Sequence, residues 1–380
     1  MLSPSLYSVC NRKQLFLEQE IKNSFANNNK RKSLVLQLIR DGNTHSLINA
    51  MKSTEQLEYK KVIKEDSDDS EEIVRFCKTK LKDEPNLISR RMIRLGNSCE
   101  SNGIRIMSWN ICSEALAIHY DRFDTIDAED LYWSKRRWKL VAEVLSYSPI
   151  DIICMQEVDC FDYLMEILSR LGYGGIFVPK PDSPCNYMEN NCGPDGCAIF
   201  WKLNRLDLIK YSKRILRVYK YQTNQVVLCA TFRHRESDRE LCVATTHLKA
   251  RRGPILSAFR YEQGKDLMKY LVKKAKNIPL VLSGDFNAEP NELVYKTISS
   301  RMVSAYKEGL KEEPSFTTWT KRESEKEMKR TLDYIFFTKT HFKVSSVLSL
   351  ESQHLTKPIP NLNYPSDHLS LVTHLNFIDK

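Results

Sequence analysis

Asn110, Glu157, His247, Asp285 with Asn287, Asp333, and Asp367 with His368 each stand at one end of a short apolar run of this chain. A buried strand has no structural use for a carboxylate or an imidazole at its end. In layered α/β proteins, strand ends are where side chains from distant sequence positions converge. Taken singly, each of these residues would pass as a turn or cap. The ordered set does not, because no Lys, Gln or Ser takes any of the places. As chemistry, the set offers several carboxylates, two amides and two imidazoles. It contains no cysteine and the chain has no HExxH pattern, so zinc is disfavoured. Oxygen donors with amides suit Mg²⁺, or Mn²⁺ in its place, held by one or two carboxylates together with substrate phosphate. His247 and His368 would then donate hydrogen bonds to phosphoryl oxygens, leaving an aspartate to orient an attacking water. The chemistry this describes is metal-assisted phosphoester hydrolysis.

Such residues need a frame, and the pattern from Gly103 onward supplies one. Runs rich in Ile, Val and Leu recur: IRIMSWN, DIICMQE, GCAIFW, QVVLCATF, LCVATTHL, IPLVLSGDFN, TLDYIFF and SDHLSLVTHLNF. Their short length and β-branched content predict strands, and continuous apolarity predicts burial on both faces. Amphipathic helices are predicted over Trp133 to Ser146, Cys160 to Leu171 and Ala258 to Lys276. Composition divides the chain near residue 100. The polar tract 27–32 and the acidic tract 64–72 read as solvated linker, while 71–95 has helix-like apolar spacing broken at Pro85. The expected organisation is an N-terminal extension over 1–102, partly disordered with short helices, and one catalytic domain over 103–380.

The chain has 380 residues, 42% of them hydrophobic, with 58 Lys+Arg against 48 Asp+Glu for a net charge of +10. That is enough apolar material for a large core, and 12 glycines with 14 prolines exclude collagen-like and linker-like chains. No run approaches the ~18 uncharged apolar residues of a membrane span, so no membrane insertion is expected. The eleven cysteines are scattered without a CxxC pair and read as buried thiols of a reducing compartment. The first residues lack a secretory core. Arg12, Lys13 and Lys22 suit a mitochondrial presequence, but Glu18 and Glu20 do not. A cytoplasmic protein is expected, with a mitochondrial pool, or a nuclear one through Lys30-Arg31-Lys32, left open. No heptad or exposed apolar stripe argues for assembly, so a monomer is expected. The positive charge would suit RNA, but it is spread along the chain. Lys265, Lys269, Lys273, Lys274 and Lys276 read as a solvated helix face, and no aromatic-interleaved groove is visible.

The ordered blocks SWN, MQEVD, THLKAR, SGDFNAEP, TLDY and YPSDHLSL resemble the exonuclease–endonuclease–phosphatase superfamily, over roughly 103–378. Abasic-site endonucleases, DNase I-like nucleases, inositol polyphosphate 5-phosphatases and deadenylases belong to it. The resemblance implies a DNase I-like, four-layered α/β sandwich, two packed sheets flanked by helices. Thr331-Leu-Asp-Tyr334 stands where inositol 5-phosphatases have Trp-Cys-Asp-Arg, and the spellings look like the deadenylase branch, without its leucine-rich repeats. Segments 177–184, 190–197, 223–226 and 363–368 resemble those members of the branch that remove the 2′-phosphate of NADP⁺ and NADPH.

The resemblance implies roles residue by residue. Glu157 is the Mg²⁺ ligand, and Asp367 serves a second ion or a water-mediated one. Asn110 and Asn287 position the phosphoryl group and the metal's water shell, and Asp285 orients or deprotonates the attacking water. His247 and His368 donate to oxygens that gain charge in the transition state, and Asp333 fixes the tautomer of His368. Lys180, Lys249, Arg251 and Arg322 surround the substrate's phosphates, with Asn204 as a polar contact near them. The charged span after Arg322 is a residue longer than the pattern, which bears on the register of Arg322. Three functions remain open: a Mg²⁺-dependent NADP(H) 2′-phosphatase, a 3′-5′ exoribonuclease shortening poly(A), and a non-catalytic adaptor of RNA regulation.

Overall fold

Strands form where the apolar runs predict them, and their order brings the polar ends together. The computed structural model describes residues 60–62, 70–96, 103–189, 191–323 and 325–378. In chain order the strands are β1 (Lys60–Val62), β2 (Met92–Arg94), β3 (Gly103–Asn110), β4 (Ile152–Val158), β5 (Tyr173–Pro179), β6 (Gly196–Lys202), β7 (Leu206–Val218) and β8 (Tyr221–His234). They continue with β9 (Arg239–His247), β10 (Leu280–Asp285), β11 (Val303–Ser304), β12 (Thr318–Thr320), β13 (Met328–Arg330), β14 (Asp333–Phe337), β15 (Phe342–Leu348) and β16 (Leu371–Phe377). One sheet runs β1-β5-β6-β4-β3-β16-β15-β2, the other β11-β14-β10-β9-β8-β7, and β12-β13 is a separate hairpin. Each large sheet holds one parallel pair near its centre, β3 with β4 and β9 with β10.

The two sheets pack face to face, β3 over β10 and β4 over β9. Buried Met107, Trp109, Met155, Val243, Val281 and Ile335 belong to the core they share. Helices α1 (Ser70–Lys80), α2 (Trp133–Ser146) and α3 (Phe161–Arg170) cover the first sheet. Helices α4 (Pro254–Ala275) and α5 (Leu293–Ser299) cover the second through Leu267, Leu271, Val294 and Ile298. This is the expected four-layered sandwich. Among the described residues no helix is long and apolar enough to cross a membrane.

Several boundaries differ from expectation for definite reasons. Helix α4 starts at Pro254 rather than Ala258, because a proline fits the first helical turn, where its missing N–H is not needed. β16 starts at Leu371, because 366–370 is taken up by side-chain and backbone bonds to the site. Strands β5, β7 and β15 were not among the predicted runs. β7 is a long, mostly basic edge strand (LDLIKYSKRILRV) that only its pairing with β8 reveals. The segment 71–95 is half helix: after α1 it runs extended into β2, whose residues pair with Ser346–Leu348 of β15. Residues 55–380 form one unit, and Ile73, Cys77 and Ile88 join its core. The tract 27–32, most of the acidic tract and residues 97–102 lie outside the described residues. Of the described cysteines only Cys192 is exposed; the others are buried thiols.

Candidate active site

Register places the second sheet's polar residues in one row. His247 on β9 is level with Asp285 on β10, which is level with Asp333 on β14. Facing them, Asn110 ends β3 opposite Gln156 of β4. Gln156 donates across the sandwich to Thr245 Oγ1 at 2.9 Å, fixing how the two rows meet. Glu157 is aimed by an irregularity. The β4–β6 ladder shifts register between Met155 and Val158, and Glu157 takes φ +54°. A bulge of this kind turns a side chain out of the strand's alternation, at a backbone cost of about 1–3 kcal/mol.

Asn110 is the hinge between the two halves. Its amide N–H groups donate to Glu157 Oε1 at 3.0 Å and Asp285 Oδ2 at 3.1 Å, and its carbonyl accepts from the Cys112 N–H at 3.0 Å. The backbone N–H of Ser113 donates to the other Glu157 oxygen at 3.1 Å. Asp285 Oδ1 accepts from the Asn287 N–H at 2.8 Å. The Asn287 side-chain N–H₂ reaches His247 Nε2 at 2.9 Å and the Leu248 carbonyl at 3.2 Å. A group that donates to a carbonyl is the amino end of the amide, so Nε2 accepts and the His247 proton sits on Nδ1. That Nδ1 is buried, has no hydrogen-bond partner among the described residues, and lies 4.0 Å from Glu157 Oε1. His368 Nδ1 meets Asp333 Oδ2 at 2.8 Å, and Thr317 donates to the same oxygen at 2.6 Å.

Burial opposes charge on both imidazoles, and their neighbours split the charge states. His247 is pushed well below its usual range by burial and by Lys180, His368 and Lys249, so it is neutral. Burial also opposes charge on His368, but Asp333, Asp367 and Asp285 outweigh it and hold that imidazole well above its usual range. Burial raises Asp285 to about 6, with His368 opposing and Asp333 adding. Glu157 is raised to about 8 by burial, against Lys180, with Asp367, Asp121 and Asp195 adding to the rise. A buried carboxylate among other carboxylates, its oxygens tied only by neutral N–H donors, fits a hard divalent cation. Asp285, Asp333 and His368 also place ligand atoms within 4.8 Å of one another. The Asp333–His368 bond, however, already engages His368 Nδ1 and Asp333 Oδ2, and Asp285 Oδ2 lies 3.8 Å from His368 Nε2, so this trio is read as an imidazole held between carboxylates.

The four cations named from the sequence lie near one another or near the carboxylates of the site, and the amide named with them does not. Lys180 pairs with buried Asp195, and Asp195 with Glu157 holds its ammonium above the usual range despite burial. Half-buried Lys249 is lowered by burial and by Lys180 and Arg251. Arg251, exposed, sits at φ +76°. Arg322 bonds Asp121 at 2.9 Å and Asp367 at 3.1 Å, so the longer charged span after it leaves it in the site. Asn204 is not there. It is exposed in the turn after β6, whose Gly196 end is level with Val158 and whose Trp201 end is level with Ile152. That puts Asn204 about 20 Å along the sheet from Glu157, and the expectation is corrected. The amide near the site is Asn224, which exchanges hydrogen bonds with the Asp182 backbone beside Lys180.

Asp121, Asp195, Ser113 and Thr317 were missed because each looks local in sequence: a lone Asp, a Gly-flanked turn, a hydroxyl before a Glu and another after a Phe. Asp159, the last residue of MQEVD, had a signal. Its carboxylate accepts from Trp133 Nε1 and the Glu114 N–H, both at 3.0 Å, which holds the Ser113–Glu114 backbone against Glu157.

Acids and imidazoles at the converging strand ends of a double-sheet sandwich define a phosphoester hydrolase of the endonuclease–exonuclease–phosphatase class. Residues 107–368 match the model of the Endonuclease/Exonuclease/phosphatase family. Nocturnin of Homo sapiens is 42% identical over 326 residues, covering 82% of this chain and 74% of that protein. The solved human nocturnin catalytic domain, with bound sulfate anion, matches at TM-score 0.64 and 41% identity, over 76% of this chain and 97% of that one. Nocturnin of Drosophila melanogaster is 42% identical over 331 residues, 78% of this chain but only about half, 51%, of the fly protein. The CCR4-Not complex 3′-5′-exoribonuclease subunit Ccr4 of Saccharomyces cerevisiae is 26% identical over 304 residues, 65% of this chain and 36% of that protein. The chain belongs to the endonuclease/exonuclease/phosphatase family, in its nocturnin branch.

Proposed function

We propose that this protein is a Mg²⁺-dependent phosphatase that removes the 2′-phosphate of NADP⁺ and NADPH, giving NAD⁺ and NADH. The observation that carries the reading is the gathering of cations around the carboxylates: Lys180 acts on Glu157, Lys180 and Arg251 both act on Lys249 and add to the lowering that burial causes, and Arg322 bonds Asp367. Cations gathered this closely favour a ligand with several negative charges, and a 2′-phosphorylated dinucleotide carries about four. The Asp182–Asn224 bonds join the loop after β5 to the start of β8. This supports a short ligand over one that threads past.

Glu157, with Asp367, would hold Mg²⁺ (Mn²⁺ as the alternative), and when bound the ion supplies a positive charge for the phosphoryl oxygens. Asp285, raised to about 6, orients the attacking water and takes its proton. The water oxygen bonds to phosphorus as the bond to the ribose 2′-oxygen breaks, and that oxygen takes a proton from solvent and leaves as the 2′-hydroxyl. Charged His368 donates from Nε2 to a phosphoryl oxygen while Asp333 holds its Nδ1. Neutral His247 offers its unpaired Nδ1–H to another. Asn110 and Asn287 keep both carboxylates and His247 in register.

A second reading, 3′-5′ exoribonuclease action on poly(A), is favoured by the similarity to Ccr4 and would use the same groups. A non-catalytic adaptor is disfavoured because no acid or imidazole of the site is missing. Phosphate release from NADPH by the full chain with Mg²⁺, beside an oligoadenylate and a Glu157→Ala control, separates these. Phosphate with intact RNA supports the phosphatase. Shortened RNA with untouched NADPH overturns it, and activity that survives Glu157→Ala overturns the mechanism.

A further inference from the structure

Two arginines are buried almost completely beside the site, one from each outer helical layer. Arg136 on α2 is 2% exposed and Arg260 on α4 is 1% exposed. Burying a guanidinium is costly unless its donors are satisfied, so where those donors go indicates what each residue is for.

Arg136 spends its fork on backbone carbonyls. Nε donates to Leu131 O at 2.7 Å, Nη1 to Ile111 O at 3.0 Å and Pro365 O at 2.7 Å, and Nη2 to Cys112 O at 2.7 Å. Ile111 and Cys112 follow Asn110, and Pro365 leads into Asp367 and His368. One planar group therefore ties the loop after β3 to the loop before β16, the two that carry the amide hinge and the charged imidazole. Stacking of its guanidinium over the Trp133 ring, 4.5 Å from the centroid, fixes the plane.

Arg260 does the corresponding work on the other side. Nη1 donates to Lys249 O at 3.1 Å and Arg251 O at 2.8 Å, while Nε and Nη2 clasp the Glu292 carboxylate at 2.8–3.2 Å. Gln263, three residues along the same helix, accepts from the Lys249 N–H at 3.1 Å. These bonds bracket Arg251, whose left-handed φ of +76° persists only where its surroundings impose it. The loop they hold carries cations and no reacting group.

Resting on the phosphatase reading of this site, we propose that Arg136 and Arg260 are positioning residues with divided duties. Arg136 sets the loops that carry the reacting groups, and Arg260 sets the Lys249–Arg251 loop that recognises the substrate's remaining phosphate charge. Loss of the first acts on the transition state, and loss of the second acts on binding shared by ground and transition states.

The test is steady-state kinetics of full-length Arg136→Lys and Arg260→Lys on NADPH, since lysine keeps the charge but not the fork. Arg136→Lys should lower kcat about tenfold or more with KM within about twofold, and Arg260→Lys should raise KM about tenfold with kcat within about twofold. Gln263→Leu should follow Arg260→Lys in the same parameter. Arg136→Gln, which retains two N–H donors, replaces Arg136→Lys if that variant does not fold. Thermal melts of each variant run alongside. Losses in the same parameter for both arginines, or losses that follow the unfolded fraction, overturn the proposal. Wild-type enzyme separates the two questions. If it releases no phosphate from NADPH, the phosphatase reading fails, and the same split is then demanded of oligoadenylate shortening.

Discussion

Glu157 concentrates the problem this site solves: a carboxylate that water would ionise is held where burial and its neighbours raise it to about 8. Holding it there also requires a left-handed backbone, so the residue is maintained against both electrostatics and sterics. Glu157→Gln keeps the shape and removes the carboxylate that a cation would need. It should leave the fold intact and lower kcat about 10²-fold or more, read as phosphate release with circular dichroism as the folding control. The amides give a sharper comparison. Asn204→Ala should leave KM and kcat for NADPH unchanged, because the residue sits in the far turn. Asn224→Ala should raise KM about fivefold, the worth of roughly one lost hydrogen bond, because the loop beside Lys180 is released. Equal behaviour of these two variants would refute the placement. From the sequence the two asparagines cannot be ranked, since both follow a predicted strand or precede one.

At the scale of elements, the site depends on how closely β9 and β10 approach. Gly284, at φ +148°, lies against Thr246, and a Cβ there would collide with the Thr246 carbonyl oxygen. Gly284→Ala should cost about 3 kcal/mol or more through strain and overpacking combined. The check is the urea midpoint; an unchanged midpoint would show that the strands can separate freely. The central strands were legible because they are buried on both faces and read as unbroken apolar runs. Strand β7 was not. Its exposed side chains are Asp207, Ile209, Lys210 and Arg217, with no clean apolar–polar alternation, and its strand character comes from pairing with β8 rather than from its own residues. Likewise 92–94 continues a helical spacing in sequence, yet becomes β2 because an open edge of β15 is there to receive it.

For the whole molecule, the functional unit begins before the blocks that identify it. Ile73, Cys77 and Ile88 are buried in the main core. Arg90 forms a fully buried pair with Glu143 and donates to the Ser370 carbonyl at 2.8 Å, next to the loop that carries His368. A chain starting at residue 103 loses the two isoleucines, worth about 1.5–3 kcal/mol each. It also leaves Glu143 buried without its partner, at about 3–5 kcal/mol. It should melt well below a chain starting at residue 55, or fail to fold. Matching melting curves for the two would show that 70–96 merely lies on the surface.

The sequence by itself determined the class of chemistry. Residue types are local, short apolar runs form strands from their own pattern, and acids, amides and imidazoles at the ends of such runs are visible without a fold. Only the tertiary structure decided the pairing: Lys180 with Asp195, Arg322 with Asp121 and Asp367, and Asn224 rather than Asn204 beside the site. The physical reason is that these contacts follow from strand order and register. A register shift of one residue moves a side chain to the other face, a change of strand order moves it across the sheet, and no local pattern records which was made.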